Sequence, residues 1–449
     1  MKKRLLALVL ALGIVVTAMT GCGSSPKEIE NTTSPKNEIG VGEGVTVEIW
    51  NAAWSDERYA PALEKLAEQA TAANIGGKGI VVKTNVVAWD NYYDTYLTAA
   101  TSKTGPTIAA QAGTAPLMYY EMGLALDLMP IYDMWVEEQN PILDVIPQEY
   151  FDVNTVDGVL YGIPWGNDSQ CMVANTEMLA EAGYEELPTS WDELEQMGLN
   201  LKERYPDKEI LAVSGGNQAA CTSLLNYFLH DYDTGVVSTD LKGNLESTNC
   251  MAALNKFEKL FEEGIIAKSS VSNVFADTQR LFLNGDAFFI ICSAPVWLVG
   301  TDMEEKSAIV PALSNEICDG YAENSLQTYY ALKSDHDEET LLVLKWWIEN
   351  NYLEWSEGGN NVVPARLDYA QDYFADSKIM TSYIETNCTG ETRSYVYPLD
   401  HQYSFHGALD AEATAGKVLQ QIMTGVSAAD AAAVCDKEIN DLIASYTEE

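Results

Sequence analysis

Short β-prone runs alternate with helical stretches through the first part of this chain. VTVEIW at 45–50 alternates apolar and polar positions, and apolar residues then recur at helical spacing over 59–70. A second β-prone run, IVVKTNVVAW at 80–89, leads into a helical stripe at 92–100, and TIAAQ follows at 107–111. Strands that alternate with helices of about 10 to 15 residues are typical of βαβ units on a largely parallel sheet. The pattern predicts an α/β lobe.

The alternating pattern breaks at Phe151. The segment FDVNTVDGVLYGIPW has two short β-prone runs around Asp157-Gly158, a dipeptide that favours a tight hairpin turn. We interpret this segment as a crossing between lobes, because the βα pattern resumes near residue 166 with CMVAN and later AFFIIC. Further breaks lie at 326–332 and 360–364. The predicted lobes are 45–165 with 326–363, and 166–325 with 364–449.

The charge balance excludes one large class of functions. The chain has 26 Lys and Arg against 67 Asp and Glu, a formal net charge of −41, so nucleic-acid binding through phosphate neutralisation is not expected. Four His residues and the absence of CxxC, HExxH or paired-His spacing argue against a zinc enzyme. We expect no cofactor and no metal site.

The first residues are typical of an export signal. Basic residues at 1–4 precede the apolar run LLALVLALGIVV, which is shorter than the roughly 20 residues of a membrane span. Met19-Thr20-Gly21-Cys22 then resembles a bacterial lipobox, although Met19 stands where Leu is usual. The resemblance implies a signal peptide over 1–21, cleavage before Cys22, acylation of that residue and a flexible tether over 22–44. The alternative is an uncleaved anchor, or a chance cysteine near an ordinary cleavage site.

Seven cysteines remain after Cys22, an odd number that is widely spaced along the chain. Such spacing does not indicate a disulfide scaffold in a chain of this length.

The most specific motif in the chain is Asp157-Gly158-Val159-Leu160-Tyr161-Gly162-Ile163-Pro164, followed by PTSWDEL at 188–194. WDNYY at 89–93, GPTI at 105–108 and FLNGDA at 282–287 accompany it. Together these motifs resemble those of the extracellular solute-binding proteins of family 1, the sugar-type substrate-binding proteins of ABC importers, from whose pattern Thr107 departs.

This resemblance implies a two-lobed, type II periplasmic-binding-protein-like α/β fold. Each lobe would hold a mixed, mainly parallel sheet flanked by helices, with a hinge of two or three crossings and the ligand between the lobes. The expected ligand is a carbohydrate, and an oligosaccharide is favoured. The expected function is its capture and delivery to ABC permease subunits by a monomer anchored through lipid on the extracellular face of the cell membrane. No catalysis is implied.

A sugar needs hydrogen-bonding partners for its hydroxyls and flat aromatic surfaces for its ring faces. In an open α/β sheet these residues belong in loops after the carboxyl ends of strands. The candidates are Trp50, Asn51, Trp54, Trp89, Gln111, Thr114, Trp165, Asn167, Asp168 and Trp297, to which the resemblance adds Tyr403 and His406. Packing is an equal alternative for Trp54. Asp168 needs a partner in an apolar cleft, either a ligand hydroxyl or a protein group.

Two other functions stay open at this point. A secreted glycoside hydrolase would use two of the many carboxylates as acid and nucleophile, but no motif places such a pair. A binding protein for a cationic small molecule could use Asp168 together with tryptophan faces.

Overall fold

The computed structural model describes residues 40–89 and 92–447. The predicted signal peptide, Cys22 and the first part of the predicted tether lie outside these residues. Within them, no helix is both long and apolar enough to cross a membrane.

The strands are numbered here in chain order. They are β1 Thr46–Ala52, β2 Val81–Val87, β3 Ile108–Ala112, β4 Thr155–Val156, β5 Val159–Leu160, β6 Ile163–Asn167, β7 Cys171–Asn175, β8 Glu209–Ala212, β9 Ala287–Cys292, β10 Ser307–Val310, β11 Ala322–Asn324, β12 Leu326–Ala331, β13 Val363–Pro364 and β14 Thr392–Ser394.

The α-helices are numbered in the same way. They are α1 Tyr59–Ala72, α2 Tyr92–Ser102, α3 Ala115–Glu121, α4 Met129–Glu138, α5 Ile142–Val145, α6 Gln148–Asp152, α7 Thr176–Glu181, α8 Trp191–Arg204, α9 Gln218–Asp231, α10 Thr248–Glu262, α11 Phe275–Leu283, α12 Asp337–Asn350, α13 Leu353–Ser356, α14 Leu367–Tyr373, α15 Lys378–Tyr383, α16 Phe405–Ala411, α17 Lys417–Met423 and α18 Ala428–Thr447.

Two sheets organise the described part of the chain. The larger has the order β13-β6-β12-β3-β1-β2, and the smaller has the order β10-β7-β9-β8. In the larger sheet β1 pairs in parallel with β2 and β3, as the opening pattern predicted. Two sheets, each with its own hydrophobic core, agree with the predicted two-lobed α/β class.

The expectation that the sheets are mainly parallel is wrong at the level of strand pairs. The ladders β12 with β3, β12 with β6 and β13 with β6 are antiparallel. In the smaller sheet β7 is antiparallel to both β9 and β10, and only β8 with β9 is parallel among the described pairs. The physical reason is that the returning segments β12 and β13 enter the first sheet from the opposite direction. The sheets are therefore mixed.

Local signals in the sequence account for several element ends. Asp157 and Gly158 adopt φ of 52° and 80° and join β4 to β5, which fits the positive φ values of a tight hairpin turn. Ser190 caps α8 by accepting a hydrogen bond from the Glu193 N–H at 3.2 Å. Glu193 in turn accepts from the N–H of Thr189, one residue before the cap, at 2.8 Å.

Separate hydrophobic cores lie against the two sheets. The first contains Val47, Leu63 and Trp347, and the second contains Leu225 and Phe257. A smaller cluster covers the other face of the second sheet, which explains why every residue of β9 is buried. The chain passes between the sheets at 167–171, 324–326 and 364–367. The predicted lobe boundaries stay a prediction.

The described cysteines, from Cys171 to Cys435, are free thiols, and six of the seven are buried. The six buried cysteines serve as small apolar side chains in the cores.

Candidate functional site

A cavity of about 190 Å³ lies between the two sheets. The first lobe contributes the residues that follow β3, Gly113 and Thr114, together with Tyr93 of α2. The second lobe contributes one face of α9, including Asn226, and the crossing segments contribute the floor. The segment that leads into α16, with the helix itself, closes the remaining side. Both lobes therefore line the same space, as ligand capture between lobes requires.

Asp168 stands on the first crossing, immediately after β6. Its N–H donates to the Ser325 carbonyl at 2.9 Å, which joins the first crossing to the second. The Ser293 hydroxyl and the Ala294 N–H donate to its carboxylate, but burial outweighs them and raises the pKa of Asp168 to about 7.

Glu323 lies on β11, where the chain returns between the lobes. Its side chain is 2% exposed, and its Oε2 accepts a hydrogen bond from the Gln170 N–H at 2.9 Å. Burial raises the pKa of Glu323 to about 8, and the nearby charges of Asp168 and Asp410 raise it further, against the hydrogen bonds from Gln170 and Asn226. This carboxyl group is the most costly of the three to ionise.

Asp410 lies on α16, whose Phe405 and Leu409 pack in the second core. The Thr114 hydroxyl donates to its Oδ2, so the hydrogen bond joins the end of a first-lobe strand to a second-lobe helix. Burial raises the pKa of Asp410 to about 6, and the Thr114 hydroxyl opposes that rise.

Positive charge is missing from this cavity. Among the described residues that line it there is no Lys or Arg. His406 lines it, but burial lowers the pKa of its ring to about 4, and Nδ1 accepts from the Tyr403 N–H at 2.9 Å, so the ring is neutral at pH 7. Arg393 is paired with Asp233 at 3.0 Å and stacks over the ring of Tyr321.

Polar side chains fill much of the remaining wall. Hydroxyls come from Thr222, Ser223 and Ser325, and phenols from Tyr395 and Tyr397. Such a surface can both donate hydrogen bonds to a polyhydroxylated molecule and accept them from it.

Gln327 differs from these polar groups, because its side-chain oxygen has no hydrogen-bond donor within the protein. Its side chain is 7% exposed, and its buried Oε1 has no hydrogen-bond partner. A buried polar atom without a partner costs free energy, so this acceptor is available to a ligand.

Three of the residues predicted to bind ligand line the cavity: Thr114, Asp168 and His406. The prediction that Trp50, Asn51 and Gln111 lie in loops after strands is wrong, because they lie within β1 and β3. Their side chains turn to other partners, and none of them lines the cavity.

Those partners are part of the first lobe. Trp50 donates to Glu48 at 2.8 Å and packs edge-on against Tyr96. Asn51 accepts from the Tyr329 hydroxyl at 2.7 Å, and Gln111 accepts from the Tyr330 hydroxyl.

Trp165 and Asn167 lie within β6 and also do not line the cavity. Trp165 is 2% exposed and packs against Trp54, Tyr329 and Trp355 in the first core. Asn167 accepts from Ser169 at 2.7 Å and donates to Asn324 at 3.0 Å, so it ties two crossings together.

The remaining predicted aromatics do not line this cavity. Trp54 and Trp89 follow β1 and β2 as expected and meet edge-on at 4.6 Å, with Trp89 48% exposed. Trp297 follows β9 and packs edge-on against Phe282, and Tyr403 stacks on Phe405. Ligand contact by these four residues stays a prediction.

Sequence reasoning did not find Glu323, Gln327, Asn226 or Asp410. Gln327 lies within the predicted second crossing at 326–332 and Glu323 lies just before it, which was a usable signal that a polar side chain there faces the cleft. Asp410 and Asn226 carry no comparable signal, because only the packing of α9 and α16 brings them to the cavity.

The three carboxylates do not form a metal centre. Within the described residues, no group of three or more His, Cys, Asp or Glu side chains could hold a metal ion.

Comparison with known proteins agrees with this architecture. The family model of bacterial extracellular solute-binding proteins matches residues 54–349. The chain belongs to this family. Because the cavity lies between the two lobes of this solute-binding protein, we treat it as the candidate ligand site.

Solved structures of similar fold align with most of this chain. A sugar transporter from Arthrobacter chlorophenolicus A6 with bound laminaribiose has a TM-score of 0.77 at 17% identity, covering 88% of this chain and 99% of that one. Maltose-bound MalE3 of T. maritima has a TM-score of 0.71 at 16% identity, covering 89% of this chain and 100% of that one. These likenesses establish the fold.

The chain spans about half the length of the curated relatives it matches. One of them, a protein of Brucella abortus named as a binding protein, is 20% identical over 213 residues, which are 47% of this chain and 50% of that protein.

Proposed function

We propose that this solute-binding protein captures a carbohydrate between its lobes outside the cell and delivers it to the permease of an ABC importer. The observation that carries the proposal is the polar cavity between the sheets, which both lobes line with hydroxyl, amide and carboxyl groups. The bound sugars of the similar structures, laminaribiose and maltose, support the same ligand class.

Thr114, Asp168 and His406 are the proposed ligand contacts that the sequence indicated, joined by Glu323, Gln327 and Asp410. They come from the end of β3, from both crossings and from α16. A ligand that touches all of these elements binds the closed arrangement more tightly than an open one, and it therefore shifts the lobes toward closure.

Isothermal titration calorimetry with a panel of mono- and oligosaccharides tests the proposal, with the incubated ligand then analysed by chromatography. We expect at least one saccharide to bind and to be recovered intact. Small-angle scattering should show a smaller radius of gyration with that saccharide than without it. Cleaved product would favour a glycoside hydrolase, and binding of polyamines alone would favour a carrier of cationic small molecules.

We further propose that the protein is a lipoprotein attached through Cys22, acting as a monomer. Cys22→Ala should leave folding unchanged, because the residue precedes the described fold, while the protein moves from the membrane fraction into the medium. Retention of this variant in the membrane fraction at the parent level would contradict lipid attachment.

A further inference from the structure

The candidate ligand site offers many hydrogen-bond acceptors and no cation to balance them. Asp168, Glu323 and Asp410 each present a carboxyl group, and the buried Oε1 of Gln327 is a fourth acceptor without a partner. Among the described lining residues the only basic side chain is the ring of His406, which is neutral at pH 7.

The three carboxyl groups accept hydrogen bonds from different protein groups. Asp410 accepts from Thr114 at the end of β3, Asp168 accepts from Ser293, and Glu323 accepts from the Gln170 N–H at 2.9 Å. They do not converge on a shared metal ion, since no metal-holding group was found within the described residues. Each carboxyl group has further lone pairs beyond these protein hydrogen bonds, and a ligand can donate to them.

A hydroxyl group and an ammonium group form different hydrogen bonds with a cavity wall that is rich in acceptors. A hydroxyl donates one hydrogen bond and brings two lone pairs that need donors, whereas an ammonium donates three and brings none. A neutral sugar brings no counter-charge, so the carboxyl groups would have to stay protonated when the lobes close and water is excluded. An ammonium supplies both the donors and the charge, and its hydrogen bonds to carboxylates are charge-assisted.

We propose that the carbohydrate bound in this cavity carries a basic nitrogen, as in an amino sugar with a free amine, which the carboxylates of Asp168, Glu323 and Asp410 recognise. The inference rests on the proposed function and narrows its ligand class.

The two ligand classes predict opposite effects of pH. An ammonium ligand needs ionised carboxylates, so its affinity should rise between about pH 5.5 and 7.5. In this range Asp410 and Asp168, with pKa values of about 6 and 7, lose their protons, and Glu323, with a pKa of about 8, begins to do so. A neutral sugar requires those groups to stay protonated, so its affinity should stay level or fall over the same range.

Other titratable groups that face the carboxylates do not change charge in this range. The pKa of His406 on α16 is lowered to about 4, and burial raises the pKa values of Tyr93 on α2 and of Tyr395 and Tyr397 in the segment before α16. Arg393 stays charged and paired with Asp233.

Calorimetric titration of the full exported chain with matched ligand pairs tests the proposal. The pairs are glucosamine with glucose, galactosamine with galactose, and the β-1,4-linked glucosamine disaccharide with cellobiose. We expect the amine of the best pair to bind about tenfold more tightly than its neutral partner, the difference between charge-assisted and neutral hydrogen bonds. Equal or tighter binding by the neutral partner overturns the inference and leaves carbohydrate capture intact. Binding by no saccharide in either arm overturns both.

A pair of variants separates this role from a general effect of charge. Glu323→Gln removes one cavity carboxyl group, which a bound ammonium favours in its ionised form, and keeps the side-chain shape. It should weaken amine binding about tenfold while changing neutral-sugar binding little. Glu412→Gln is the matched control, because Glu412 is exposed just beyond α16 and does not line the cavity. Equal losses for the amine and the neutral sugar in Glu323→Gln would assign Glu323 to cavity shape and contradict the proposal.

Discussion

Glu323 in the cleft and Glu354 in the first lobe are buried to the same degree, at 2% and 0% exposure, yet they have different surroundings. Glu354 accepts from Tyr59 at 2.9 Å and from Tyr329 at 3.0 Å, and further from Trp347 and Asn351 at 3.2 Å each. Glu323 accepts from Gln170 and from Asn226, and it faces a cavity.

Burial raises the pKa of both groups, to about 8 for Glu323 and about 7 for Glu354. The shift alone therefore does not distinguish a structural carboxyl group from one that faces a ligand. The number of hydrogen-bond donors that the protein supplies does distinguish the two carboxyl groups. Four side chains surround Glu354 and leave no role for a ligand, whereas Glu323 has fewer donors and lies beside two other carboxylates.

The largest expected effect is on the free energy of unfolding, when each of the two glutamates is replaced with alanine. Glu354→Ala should lower the free energy of unfolding by about 3 to 5 kcal/mol, because it leaves buried phenol, indole and amide donors without an acceptor. Glu323→Ala should cost about 1 kcal/mol or less, because water in the cavity can replace the carboxylate as partner of the Gln170 N–H. Chemical denaturation at neutral pH measures both, and equal losses would remove the distinction.

A second test uses the pH dependence of stability in the ligand-free protein. The folded-state pKa values of Glu323 and Asp410 are raised above their ordinary values, so the folded state keeps protons that the unfolded state has lost. Their contribution to stability is therefore full below about pH 4 and is lost as pH rises through about 6 to 8. The double variant Glu323→Gln with Asp410→Asn should lose less stability over this range than the parent.

The expected difference in stability at pH 8 is roughly 1 to 3 kcal/mol, taking about 1.4 kcal/mol per pKa unit and allowing for solvent in the cavity. Thermal unfolding of both proteins at several pH values measures it. Glu354 contributes equally to both curves, and Glu412→Gln controls for the loss of a distant charge. Parallel curves for parent and double variant would mean that the pKa values of the two cavity carboxyl groups are not raised in the folded state.

Local signals in the sequence predicted much of the fold. The Asp157-Gly158 hairpin, the Ser190 cap and the parallel start from β1 to β3 each depend on residues close together in the chain, and the structure contains all three. The strand directions were harder to predict from the sequence, because β12 joins the first sheet from a segment more than 200 residues after β3.

The candidate site depends more on distant contacts. The Gln170 N–H and Glu323 are 153 positions apart, and Thr114 and Asp410 are 296 apart. Tryptophan illustrates the same limit, because an indole suits a sugar face and a core equally well. Trp165 lies in the core, while Trp89 remains 48% exposed.

The smallest expected effect concerns the hydrogen bond between Thr114 and Asp410, the one cavity carboxylate that accepts from the first lobe's β3 end. Thr114→Val keeps the side-chain volume but removes the hydroxyl that stabilises the ionised carboxylate, so the pKa of Asp410 should rise above its value of about 6. The loss of one such bond is worth about 1 kcal/mol, which corresponds to roughly a fivefold weaker affinity for an amine ligand at pH 6.5. The effect should be smaller at pH 8, where the carboxyl group of Asp410 ionises in both proteins.

Thr114→Ser retains the hydroxyl and should restore parent affinity. Calorimetry at the two pH values measures this difference. If Thr114→Val and Thr114→Ser were equally weak, the methyl group of Thr114 would be the important contact, and Asp410 would join Glu354 as a carboxyl group held for structure.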